Sequence, residues 1–184
     1  MRNIILYLIL YFLLLIMGFV VLRYLVPREY SKRGKLSPFI AFLQALVFFM
    51  YGGFPTIYLK KDWPAVSVPS LMHIVGASFV IIGLVFLLYA MVRLGVDKSL
   101  GCGTQELEKS GLYGVSRNPQ AVACGIYTIG FFMLWPSWYA LGWVFLYFVL
   151  IHMMVLAEEE HLKRKHEQKY QEYCEKVQRY LGWN

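Results

Sequence analysis

Residues 121–157 read AVACGIYTIGFFMLWPSWYALGWVFLYFVLIHMMVLA, a run with no formal charge, interrupted once at Trp135-Pro136-Ser137-Trp138. A helix needs about 20 apolar residues to cross the hydrocarbon core of a bilayer, so this run is close to two spans. The proline between two tryptophans predicts a tight helical hairpin, because Pro cannot continue a helix without losing a backbone hydrogen bond. Its first arm, residues 119–135, is short for a full crossing, which leaves three alternatives: little tilt, local thinning of the bilayer, or an arm that stops part-way.

Working outward, residues 4–22, 39–59 and 66–92 are three further uncharged runs of spanning length. With 59% hydrophobic and only 16% charged residues, the chain lies far from the soluble average. These features predict an all-α, polytopic transmembrane bundle of about five spans with a cytoplasmic C-terminal helix. Residues 1–92 carry the first three spans. Residues 93–184 carry a loop, the hairpin and the tail, the whole forming one structural domain. The first run is too long for a signal peptide and lacks a small-residue cleavage site before Arg23, so it is read as a mature span.

Lys and Arg are retained on the cytoplasmic side of membrane proteins. Arg23, Arg28, Lys32, Arg33 and Lys35 follow the first span, Arg93, Lys98, Lys109 and Arg117 the third, and six more follow Ala157. The other side receives Arg2, Lys60 and Lys61. Five crossings with the N-terminus outside put all three basic segments in the cytoplasm. Four would split them. The basic residues then serve topology and anionic headgroups, membrane lipids are the expected partners, and no nucleic acid is expected.

Polar chemistry has little to work with in the first three spans. The candidates lie in residues 93–120 and beyond Ala157. The first segment holds Gly95, Gly101, Gly103, Gly111 and Gly114, which permit tight turns and close backbone approach. The tail opens with Glu158-Glu159-Glu160 and continues without Pro or Gly to Leu181, which predicts a helix supported by Glu159 with Lys163 and Glu160 with Arg164. Cys102, Cys124 and Cys174 have no paired spacing, so neither a disulfide framework nor a metal site is expected. His73 and His152 lie within apolar spans; a haem between them is one reading, a histidine lining a substrate path the commoner one.

The stretch Gly111-Leu112-Tyr113-Gly114-Val115-Ser116-Arg117-Asn118-Pro119, followed after the hairpin by Glu158-Glu159 and then Tyr170, Tyr173 and Arg179, resembles the isoprenylcysteine carboxyl methyltransferase and phospholipid methyltransferase superfamily. The shared elements are a Gly-x-Tyr turn, an Arg-Asn-Pro motif, a hairpin, and a Glu-Glu segment leading to a Tyr-x-x-Tyr helix, over residues 94–181. The resemblance implies an integral membrane enzyme that uses S-adenosylmethionine, bound between the third loop and the tail, with a lipophilic small-molecule acceptor entering from the bilayer. It casts Gly111, Tyr113, Asn118, Pro119, Glu158, Tyr170 and Tyr173 as cofactor-binding, and Glu159, Arg117 and Arg179 as catalytic.

In that scheme aromatic rings and carboxylates surround the sulfonium, an arginine pairs with the donor's carboxylate or an acidic substrate, and Glu159 takes a proton if the nucleophile is an amine or thiol. Two departures stand out. Gln120 and Ala121 occupy the place where the superfamily often has a Tyr, and Gln105 stands where it often has a His. The alternatives are a nicotinamide-dependent membrane reductase of related fold and a relative that has lost its chemistry.

Overall fold

The structure is a computed structural model that describes residues 2–59, 66–99, 101 and 107–181; Cys102, Gly103, Gln105, Lys60 and Lys61 lie outside them. The described residues are helical with no strand, and the chain is a multi-pass membrane protein. Its helices are α1 (Arg2–Phe19), α2 (Val26–Arg33), α3 (Pro38–Gly53), α4 (Pro55–Tyr58), α5 (Ser70–Leu94), α6 (Val96–Ser99), α7 (Pro119–Leu134) and α8 (Trp138–Lys176). Four helical stretches are long and apolar enough to span, and α7, at 16 residues, is the short fifth.

Two prolines shape the N-terminal half. Pro27 has no N–H to offer the Arg23 carbonyl and its ring crowds that turn. The helix widens there into a π turn, Val20–Leu25, closed by Val26 N–H donating to the Val21 carbonyl, and then continues as α2. The turn presents Arg23 to Glu160 of α8 at 3.0 Å. Pro55 likewise cannot donate to the Tyr51 carbonyl, and α3 breaks at Phe54 where an uninterrupted span was expected. The Tyr51 carbonyl accepts instead from Phe54 N–H at 3.1 Å and from Trp143 Nε1–H at 3.0 Å, so the break becomes a tie to α8.

Around that tie lies the main core, in which Leu14, Val47, Trp143, Leu146, Leu150 and Val155 are buried. Tyr7 donates to the Tyr139 carbonyl at 2.8 Å, anchoring α1 to the start of α8. Ser137 caps α8 by accepting from Ala140 N–H. At the hairpin end, Val66 N–H donates to the Pro136 carbonyl at 2.9 Å, and residues 66–69 are not helical, so the third helix starts at Ser70 rather than Val66.

The third span joins the bundle through α7. Gly76, Gly83 and Ala90, seven residues apart, are the buried positions of α5, and Ala123 and Gly130 repeat that interval on α7. Such small residues let helices approach closely in a membrane, where apolar burial alone drives no association. A Cβ on Gly83 would lie 2.6 Å from Tyr127 N and 2.8 Å from the Ala123 carbonyl oxygen, both backbone atoms that cannot step aside. Gly83→Val is expected to lower stability by at least about 2 kcal/mol, read as thermal unfolding in detergent. Gly52→Ala, which faces open space, should leave the transition in place.

The basic end of the bundle gathers the first connection, the third connection and the tail, as the charge distribution implied. Leu36 N–H donates to the Gly101 carbonyl at 2.9 Å, and the Tyr30 ring stacks on His161 at 4.3 Å. His73 borders the hairpin end with Leu134 and Trp135, whereas His152 bonds Tyr180 near the basic end. The two histidines are thus at opposite ends of the bundle, which rules out a shared haem. No cluster of metal-ligating residues occurs among the described residues.

Candidate active site

α8 carries the site's acidic residues. After the apolar part of the helix ends at Ala157, Glu158, Glu159 and Glu160 point in three directions, because successive helical residues are about 100° apart. Glu160 meets Arg23 and Glu159 turns inward. The pairs expected along the helix, Glu159 with Lys163 and Glu160 with Arg164, give way to these cross-bundle partners. At Glu159 the guanidinium groups reach a carboxylate shielded from water, where screening is weak, whereas the Arg23–Glu160 pair is partly open to solvent.

Glu159 is the most heavily tied side chain of the site. Its Oε2 accepts from Arg179 Nε at 2.9 Å and lies 2.9 Å from Arg179 Nη2; Oε1 lies 3.3 Å from Arg117 Nε and accepts from Asn118 Nδ2 at 3.3 Å. Two guanidinium groups and one amide thus engage both oxygens of a buried carboxylate. Through these contacts Glu159 joins the Arg117–Asn118 loop, the segment around Arg179 and α8.

Arg179 reaches Glu159 because the helical tail expected as far as Leu181 stops at Lys176. Glu167, at φ 40°, bends α8, and Val177 is extended. Residues 177–181 then run back as a strap across the start of α7. Arg117 N–H donates to the Gln178 carbonyl at 2.9 Å, and Asn118 Nδ2 and Ser116 Oγ donate to the Arg179 carbonyl at 3.1 and 3.4 Å. Asn118 sits at the N-cap of α7, yet its side chain is spent on the strap and on Glu159 rather than on capping. Pro119 occupies the first helical turn, where a missing N–H costs nothing.

The Gly111–Gly114 turn is a short 3₁₀ helix opened by Gly111 at φ 58°, a conformation glycine takes without strain. Tyr173 Oη donates to the Tyr113 carbonyl at 2.6 Å, fixing that turn to the bent end of α8. Tyr170, Tyr173 and Val177 form a second small core there with Leu107 and Leu162.

These ties enclose a cavity between the end of α5, α6, the Tyr113–Arg117 loop and α8. Of the expected residues, Tyr113, Arg117, Asn118, Glu158 and Tyr173 line it. Gly111, Pro119, Glu159, Tyr170 and Arg179 do not. Lys98, Ser99, Glu108, Gln120, Met154 and Leu162 line it as well and were not singled out from the sequence. Gln120, noted only as a departure, gives its amide to Ser99 Oγ at 2.8 Å and so closes α6 onto α7. Glu158 has no ion-pair partner among the described residues. Burial, and then the charge of Glu159, push its carboxyl up to about 7.

A family model described as phospholipid methyltransferase matches residues 71–169, more than half of the chain. The chain belongs to the phospholipid methyltransferase family. The match takes in α5, the Gly-x-Tyr and Arg-Asn-Pro segment, the hairpin and the Glu-Glu segment, in agreement with the resemblance read from those motifs. Comparison with curated proteins and with solved structures gives no match. In this member of a family of membrane methyltransferases, the strap, with Arg179, lies beyond the matched residues, as do Tyr170 and Tyr173.

Proposed function

We propose that the protein transfers a methyl group from S-adenosylmethionine to a lipophilic acceptor at the cavity lined by Tyr113, Arg117, Asn118, Glu158 and Tyr173. The observation that carries this reading is the pair of unlike carboxylates on α8: Glu159 is locked between two arginines, and its neighbour Glu158 faces the cavity without a partner. A half-buried carboxylate flanked by the rings of Tyr113 and Tyr173 suits a sulfonium cation. S-adenosylmethionine would supply an activated methyl group, leaving the protein to position and to manage a proton.

Positioning falls to the Arg117–Asn118–Glu159–Arg179 network, which fixes the loop to the strap and to α8 at once. Holding reactants at near-attack distance is worth several kcal/mol of barrier. Where the acceptor is an amine or a thiol, Glu158 takes its proton; a carboxylate acceptor needs none. Arg117, at the cavity wall, is placed to meet a carboxylate of donor or substrate, a match its guanidinium fork favours. The excess of Lys and Arg at this end supports a cytoplasmic site, with the N-terminus outside.

Detergent-purified protein with a hundredfold excess of S-adenosylhomocysteine over its dissociation constant should gain about 2.7 kcal/mol, seen as a rise in unfolding temperature. A reduced nicotinamide cofactor should give no shift. A shift with the nicotinamide alone would replace this reading with a reductase.

A further inference from the structure

Glu167 is the only non-glycine residue at positive φ among the described residues, with φ 40° and ψ −113° in the middle of a helix. An L side chain is crowded by its own backbone there, so the conformation persists only where the surroundings impose it. Glu167 is itself exposed, and what bends it lies beyond it in the chain. Residues 168–181 are tied chiefly to the loop that walls the polar cavity. Lys109 Nζ donates to the Lys169 carbonyl at 3.4 Å, Tyr173 Oη to the Tyr113 carbonyl at 2.6 Å and Arg117 N–H to the Gln178 carbonyl at 2.9 Å. Tyr173 is also part of the cavity wall. The core formed by Tyr170, Tyr173 and Val177 is separate from the main one, so this segment can lift away while the bundle stays intact. Small peripheral units of that kind are the first to open. Were Glu167 to return to helical values, α8 would run on straight and carry Tyr173 away from Tyr113. The strain at Glu167 thus pulls against the bonds that hold the segment down.

We propose that residues 168–181 are a lid on the polar cavity, turning about Glu167, that opens to admit and release the methyl donor. The donor rests on the methyltransferase reading; the hinge does not. Shut, the lid supplies the Tyr173 wall and brings Arg179 to Glu159, so the cavity is complete only in that state. Each turnover leaves a spent donor that has to depart, and the balance between strain and ties sets how often it can.

Cys174, half-buried beside the lid's own core, reports the opening. Full-length protein in detergent is treated with a water-soluble maleimide, and modification is read by mass on the peptide carrying Cys174, apart from Cys102 and Cys124. Glu167→Gly relieves the strain and weakens the straight helix, so it should slow labelling about tenfold. Glu167→Ala loses the same carboxylate but keeps a Cβ, and should label at least as fast as the parent. Tyr173→Phe, which gives up one tie, should label about fivefold faster. Excess S-adenosylhomocysteine should slow the parent and Tyr173→Phe alike. Labelling that Glu167→Gly leaves unchanged or speeds would overturn the hinge. Labelling that S-adenosylhomocysteine leaves unchanged while raising the unfolding temperature would show that the segment does not cover the donor. No rise in unfolding temperature, with labelling still slowed by Glu167→Gly, would instead keep the hinge and remove the methyltransferase reading.

Discussion

Glu159→Gln will lose both activity and stability. The substitution keeps the shape of the side chain but removes the one charge that Arg117 and Arg179 share, leaving two guanidinium groups facing each other across a neutral amide. Removing one member of a buried ion pair costs 3–5 kcal/mol. Because the Arg179 side chain is 39% exposed and finds water, the expected loss is nearer about 2 kcal/mol. Methyl transfer into a total lipid extract should fall about a hundredfold, since the loop and the strap are both referenced to this carboxylate and a misplacement of about 1 Å has that effect. Arg179→Ala should be milder on both counts, because Arg117 and Asn118 still hold Glu159. A Gln variant with parental turnover would show that the network contributes nothing to the site.

The adjacent carboxylate should behave in the opposite manner. Glu158→Gln removes no ion pair, so the protein should fold as before, yet an amine- or thiol-directed reaction should slow by about 10²–10⁴, the range for loss of a general base. With its carboxyl pushed up to about 7, Glu158 is protonated in mild acid, and parental activity should rise as pH passes through about 7; the variant should show no such rise. Stability adds an independent signature. From about 4.5 to about 7 the unfolded chain has lost this proton and the folded one retains it. The unfolded state binds fewer protons there, so stability falls with rising pH across that window and levels off above it. Glu158→Gln should remove that share of the fall. An unchanged pH profile of activity in the variant would exclude Glu158 as the proton acceptor.

The spans were readable because a bilayer asks a single question of each segment, whether about 20 residues are apolar; residues 4–22 answer it plainly, whereas the first arm of 121–157 falls short of that length. The Gly-x-Tyr, Arg-Asn-Pro and Glu-Glu segments could be ordered along the chain for a related reason: they are short, local and in sequence. What escaped was partner choice. Nothing in Glu158-Glu159-Glu160 says which residue faces the cavity, because each position differs from the next only by a rotation that the packing of α8 decides. The strap was missed because residues 177–181 carry no Pro or Gly to stop a helix; their non-helical path is set by carbonyl groups accepting from Arg117, Asn118 and Ser116, far away in sequence. Gly76, Gly83 and Ala90 stand in plain view at a seven-residue interval, but the helix they receive becomes evident only once α7 is placed against α5.

The shortness of α7 has a consequence for where such chemistry takes place. Its 16 residues rise about 24 Å at 1.5 Å each, against a hydrocarbon thickness of about 30 Å. Were this helix to cross as a full span, the two leaflets would dimple toward each other around it, at fractions of a kcal/mol per Å of mismatch. Asn118 and the cavity it borders would then sit below the level of the surrounding headgroups rather than above them. An amphiphile lying in the membrane would bring its head to the cavity by sinking sideways into that dimple, without lifting its tail into water, and a thinner host membrane would make the dimple less costly to form.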